Sequence, residues 1–129
     1  MRTRAVLGLI AGAILILSSA AHSFLGWNGL HDQLVAAQAP PDLVLGLKLG
    51  WQFGGVAILA FGIIVVALFA RRFRGGSVSV LPAVVIAAAY LAFGAWALLA
   101  SNFNLFFFLV FIVPGALLAV ASSTPGGGR

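Results

Sequence analysis

Four long apolar runs, separated by short polar breaks, constrain this chain more than any other feature of its sequence. They cover residues 5–25, 43–70, 79–100 and 105–121. An α-helix needs about 20 apolar residues to cross a hydrocarbon core ~30 Å thick. The first three runs meet that length, and the fourth lies near its lower limit. Period-2 alternation is missing, and the runs are rich in Ala, Leu and Gly, so the pattern points to helices rather than strands. The predicted architecture is all-α: one four-transmembrane-helix domain over residues 1–121, then a flexible cytoplasmic tail over 122–129. Composition agrees. Only 7% of the 129 residues are charged and 63% are hydrophobic, whereas a soluble domain carries roughly 25% charged residues to keep its surface wetted.

The breaks carry helix-end chemistry. Pro40-Pro41-Asp42 is expected to end one segment and cap the next. Ser79 is the expected cap of the third helix, with Pro82 in its first turn, where proline is tolerated. Asn104 is the expected cap of the fourth, and Pro114 should kink that helix by removing the bond to the Val110 carbonyl. Between Gly26 and Pro41, Leu30, Leu34 and Val35 share a face, which predicts a short interfacial helix in the first outer loop.

Charge sets the predicted orientation. Arg2, Arg4, Arg71, Arg72, Arg74 and Arg129 fall on one side of an even number of spans, while Asp32 and Asp42 lie in the first opposite loop. The positive-inside rule makes the arginine side cytoplasmic, with both termini there. The expected location is a bacterial cytoplasmic (inner) membrane. The +5 formal charge does not imply a nucleic-acid partner, because the arginines flank apolar spans. A rival reading makes residues 1–21 a signal peptide cleaved before His22. An uncleaved first helix is preferred, since the run stays apolar through Phe24 and Leu25 to Trp27.

Within lipid, helices associate through small residues and interhelical hydrogen bonds. Gly8, Gly12, Ser19, His22 and Gly26 share a face of the first helix. Ala83, Ala87, Tyr90, Gly94, Ala97 and Ser101 share one on the third. The second helix shows two faces, Gly46/Gly50/Gly54 and Lys48/Gln52/Gly55/Gly62, as expected of a helix central in the bundle or packed against another subunit. The aromatic run Phe103, Phe106, Phe107, Phe108 and Phe111 is expected to face lipid for the most part.

Counting inward at ~1.5 Å per residue puts His22 about 8 Å inside Trp27 and Lys48 about 9 Å inside Asp42, with Gln52 and Tyr90 roughly 15 Å deep. Uncovered polar groups in hydrocarbon cost several kcal/mol. The four are therefore expected to converge on an outward-facing polar pocket, with Trp51, Asn102 and Asn104 at its wall or rim. The predicted ligand-binding residues are His22, Lys48, Trp51, Gln52, Tyr90 and Asn102. Each has a plainer role: Lys48 snorkelling, and His22, Gln52 and Tyr90 holding helices together.

No cysteine is present, and His22 and His31 have no intramembrane carboxylate beside them, so neither a metal nor any other cofactor is expected. Nucleophile triads and phosphate loops are absent too. The layout, with Ala21-His22-Ser23-Phe24-Leu25-Gly26-Trp27 and Trp51-Gln52-Phe53-Gly54-Gly55, resembles small four-helix bacterial membrane proteins of DoxX-like arrangement. That resemblance implies fold and topology only. The expected function is non-enzymatic: an oligomeric or accessory membrane subunit with a pocket for a lipid, quinone or similar amphiphile. The alternatives are a small transporter or channel for an anion or protons lined by Lys48 and His22, and a lipid-directed membrane enzyme using His22. Small multidrug transporters fit less well, because they need a membrane carboxylate.

Overall fold

The computed structural model describes residues 2–123. Among these it is helical, with no strand. Four continuous helices are long and apolar enough to cross a membrane: α1 (Arg2–Ala36), α2 (Pro41–Phe73), α3 (Leu81–Ala100) and α4 (Leu105–Ser122). Residues 124–129, which hold most of the expected tail and Arg129, lie outside the described residues.

The helix ends follow local chemistry. Pro41 occupies the first turn of α2 beside Asp42, where a carboxylate favours the helix dipole. The Asp42 side chain makes no capping bond, so the dipole is its contribution. α3 begins at Leu81, so Val80 rather than the expected Ser79 holds the capping position. The Ser79 hydroxyl still accepts from the Leu81 N–H at 3.3 Å, and Pro82 lies in the first turn. Asn104 caps α4, its Oδ1 accepting from the Phe106 N–H at 3.0 Å. At the far end of α1, Gln38 adopts φ +51°, and the Ala39 N–H reaches back to the Leu34 carbonyl. This closes the helix with a left-handed residue.

Two helices contain a π-helical turn. In α4 it spans Phe108–Ile112, ending two residues before Pro114. The expected disruption at Pro114 thus takes the form of a widened turn, in which the Val113 N–H bonds to the Phe108 carbonyl. In α1 the π turn spans Ala21–Gly26, and the helix continues through it from Trp27 to Ala36. Residues expected in a separate interfacial helix are therefore a helical extension of the first span. Leu30 and Leu34 are half-buried, and Val35 is exposed.

Around the bundle, α1 packs on α2 and α4, and α4 packs on α3; α2 and α3 meet only sparsely. The core joins Leu15, Val65, Phe69, Ile86, Ala87, Tyr90 and Leu118. Small residues set the approach. A side chain at Gly8 would strike the Phe69 ring, and one at Gly12 would meet Val65 and Val66. A side chain at Gly62 would lie 2.7 Å from Ile16 Cγ1 and 3.2 Å from the Gly12 carbonyl. On α3, Ala83, Ala87, Tyr90, Gly94 and Ala97 are buried, as the shared face predicts. Phe103, Phe106 and Phe108 are exposed. Phe111 departs from the lipid-facing expectation, packing against Tyr90 at 5.8 Å and Phe93 at 4.9 Å between ring centroids.

The helices differ greatly in length. At ~1.5 Å per residue, α1 and α2 are ~50 Å long, whereas α3 and α4 are ~30 Å or less. The Arg4 guanidinium bonds the Ser123 carbonyl, and Gly8 faces Phe69. The arginine ends of α1, α2 and α4 are therefore level. The excess length lies at the other end, where α1 and α2 run on as a two-helix hairpin past the ends of the short pair. Between residues 41 and 50 every position except Val44 is exposed.

Candidate functional site

The polar side chains of α1 and α2 meet where the hairpin leaves the four-helix part. The π turn of α1 presents the carbonyls of His22 and Ser23 sideways to α2. The Trp51 indole N–H donates to the His22 carbonyl at 2.7 Å, and the Gln52 amide donates to the Ser23 carbonyl at 2.9 Å. In return, His22 Nε2 lies 3.0 Å from the Trp51 carbonyl. With a carbonyl as partner, Nε2 carries the proton. The imidazole and indole rings stack at 4.5 Å between centroids with their planes 3° apart. Gly54 and Gly55 make room: a side chain at Gly54 would stand 3.1 Å from His22 Nε2, and one at Gly55 would overlap the Ser23 hydroxyl. Gly26 is likewise confined by the Trp51 ring. Together these groups clasp two helices, with three side-chain donors each meeting a main-chain carbonyl on the facing helix.

The six expected ligand-binding residues do not share one pocket. His22, Trp51 and Gln52 form the clasp. Lys48 is exposed one turn nearer the hairpin tip. There it lines an open cleft of about 570 Å³ with Trp27, Asn28, His31, Val44 and Leu45. The Trp27 ring is buried and lies 5.8 Å from that of His31. Tyr90 is buried on α3 against Phe111. Asn102 is exposed at φ +56° in the α3–α4 turn, a conformation asparagine tolerates better than most residues. Asn104 is the α4 cap rather than a rim group.

Unequal helix lengths explain the separation. Gln52 is 19 residues before Arg71, or ~28 Å along α2, whereas Tyr90 is nine residues into α3, or ~14 Å from the same end. Counting inward from the outer boundary of each helix gives them one depth; counting from the arginine end does not. Ser23 is the member of the clasp that the sequence did not single out. Its contribution is a main-chain carbonyl made accessible by the π turn, and no local residue pattern announces that turn.

No family model matches the chain, and neither curated proteins nor solved structures yield a match. The DoxX-like resemblance remains one of layout.

Proposed function

We propose that this chain is a non-enzymatic, multi-pass membrane protein that works as a subunit of a membrane assembly, joined through the Gly46–Gly50 face of α2. A second copy of the chain is the partner this reading commits to. The carrying observation is that a side chain built at Gly46 or Gly50 would meet nothing within 4 Å, whereas the other glycines within the α1–α2 pair's contact, Gly54, Gly55 and Gly62, are filled by α1. Two glycines four apart on a helix let a neighbouring backbone approach closely. Nothing within one chain uses that opportunity, and α2 is therefore read as the helix that packs against another subunit. Exposed Leu43, Leu47 and Leu49 flank the open face.

The alternative functions draw less support. His22 donates to a main-chain carbonyl and stacks on Trp51, so it is engaged in holding helices rather than free to relay protons. Lys48 and His22 lie in separate surroundings and line no common path. The cytoplasmic placement of the arginine end belongs to this proposal as well, on the positive-inside rule.

The test is energy transfer between donor- and acceptor-labelled copies in liposomes at decreasing protein-to-lipid ratio. Transfer that persists on dilution, and is lost in Gly50→Leu without loss of helicity, supports the reading. Transfer no greater than random proximity in the unsubstituted protein overturns it.

A further inference from the structure

A second cleft lies at the opposite end of the molecule, in the seam where α2 and α3 diverge. It has a volume of about 410 Å³, and its polar wall is Arg71, Ser77 and Ser79. The apolar wall runs down α2 through Leu68, Ala67 and Ile64. Arg71 is exposed and thus free to turn into the cleft. Arg72 and Arg74 follow it closely in the sequence. Arg72 is half-buried, and among the described residues its Nη1 has no hydrogen-bond partner. Both acidic side chains of the protein, Asp32 and Asp42, belong to the hairpin end, about 45 Å away along α2. The first turn of α3 adds the partial positive charge of a helix N-terminus, and Ser79 already bonds its Leu81 N–H.

From this arrangement we infer that the α2–α3 seam binds an anionic phospholipid. The phosphate would take the Arg71 guanidinium with the Ser77 and Ser79 hydroxyls, and one acyl chain would lie along Leu68, Ala67 and Ile64. Three features select this occupant. Guanidinium and hydroxyl donors match phosphate oxygens. Among the described residues, the cationic end carries no acidic side chain. The apolar wall continues from the donors toward the middle of the span, as a headgroup-to-chain sequence requires. A basic pocket between transmembrane helices is a recognised setting for such lipids. The inference rests on the reading of the four helices as membrane spans; association through Gly46 and Gly50 is not required.

The test uses the full chain, extracted in mild detergent and passed through nanodiscs of phosphatidylcholine containing a minor fraction of phosphatidylglycerol. Native mass spectrometry then counts retained lipids. The expected result is selective retention of phosphatidylglycerol, reduced about tenfold by Arg71→Gln, as loss of a charge-assisted bond implies. Ser77→Ala should lower retention less, and Arg2→Gln, at the same end but outside the cleft, should leave it unchanged. Equal retention of both lipids, or equal effects of Arg71→Gln and Arg2→Gln, would overturn the site. Full displacement by millimolar inorganic phosphate would replace the lipid with a free anion and also overturn it. A chain that incorporates into no nanodisc would instead refute the membrane reading beneath it.

Discussion

The imidazole of His22 lies flat on the indole of Trp51, and each residue also bonds the other's main-chain carbonyl. This reciprocal pairing ties the π turn of α1 to α2 at the point where the short helices stop supporting the long pair. Interhelical hydrogen bonds in bilayers average ~0.6 kcal/mol and reach ~1.7. Trp51→Phe keeps a ring for stacking but removes the indole donor, so it should destabilise the fold by about 1 kcal/mol. Trp51→Leu loses stacking as well and should cost about 2–3 kcal/mol. Unfolding in mixed micelles with increasing SDS would measure both. Equal losses would show that the ring stacking contributes nothing, and an unchanged stability in Trp51→Phe would show the same of the indole N–H.

The glycines of α2 divide into two classes with opposite expected responses. Gly62→Leu would drive a side chain into Ile16 and the Gly12 carbonyl, at a cost of about 1–3 kcal/mol or more. Gly46→Ala points into open space and should leave monomer stability unchanged or raise it by about 0.5–1 kcal/mol through helix propensity. The same micelle titration separates them. A large loss of monomer stability in Gly46→Ala would mean that its face is already occupied within one chain.

Asn104 gives a local test. Asn104→Ala removes the acceptor for the Phe106 N–H and should cost about 1 kcal/mol. Hydrogen exchange at Phe106 and Phe107 should quicken, while amides near Gly115 keep their protection.

Topology can be read from single cysteines, since the chain has none of its own. Ala39→Cys and Ser77→Cys should label with an impermeant maleimide from opposite faces of the membrane, Ser77→Cys from the cytoplasmic side. Labelling of both from one face would exclude an odd number of helices between them crossing the bilayer.

Much of the fold is legible in the sequence because membrane helices advertise themselves twice, by apolar length and by the small residues on their packing faces. The Ala83–Ala97 face, the Asn104 cap and the Gly8–Gly12 contact follow from spacing alone. The candidate site was less legible. His22 and Gln52 join one clasp, but through neighbours: His22 pairs with Trp51, and Gln52 bonds the Ser23 carbonyl. Tyr90 does not join them, because the start of the loop hides how far α1 and α2 extend beyond α3. Lys48 and Gln52 are one turn apart on a single face, yet that turn separates the clasp from the open cleft. Pro114 marks one π turn; the turn at Ala21–Gly26 contains no proline, and its partners lie 29 residues away.

The mismatch between ~50 Å and ~30 Å helices limits how any bilayer can fit this molecule. Tilting the long pair into a 30 Å slab would take about 50°, beyond the ~40° observed for spanning helices. Seating the slab on the short pair lifts Leu43, Leu45 and Lys48 clear of the hydrocarbon; thickening it to cover them submerges Asn102 and Asn104. Membrane thickness should consequently decide whether the hairpin tip meets headgroups or acyl chains, making this protein sensitive to the bilayer in which it is placed.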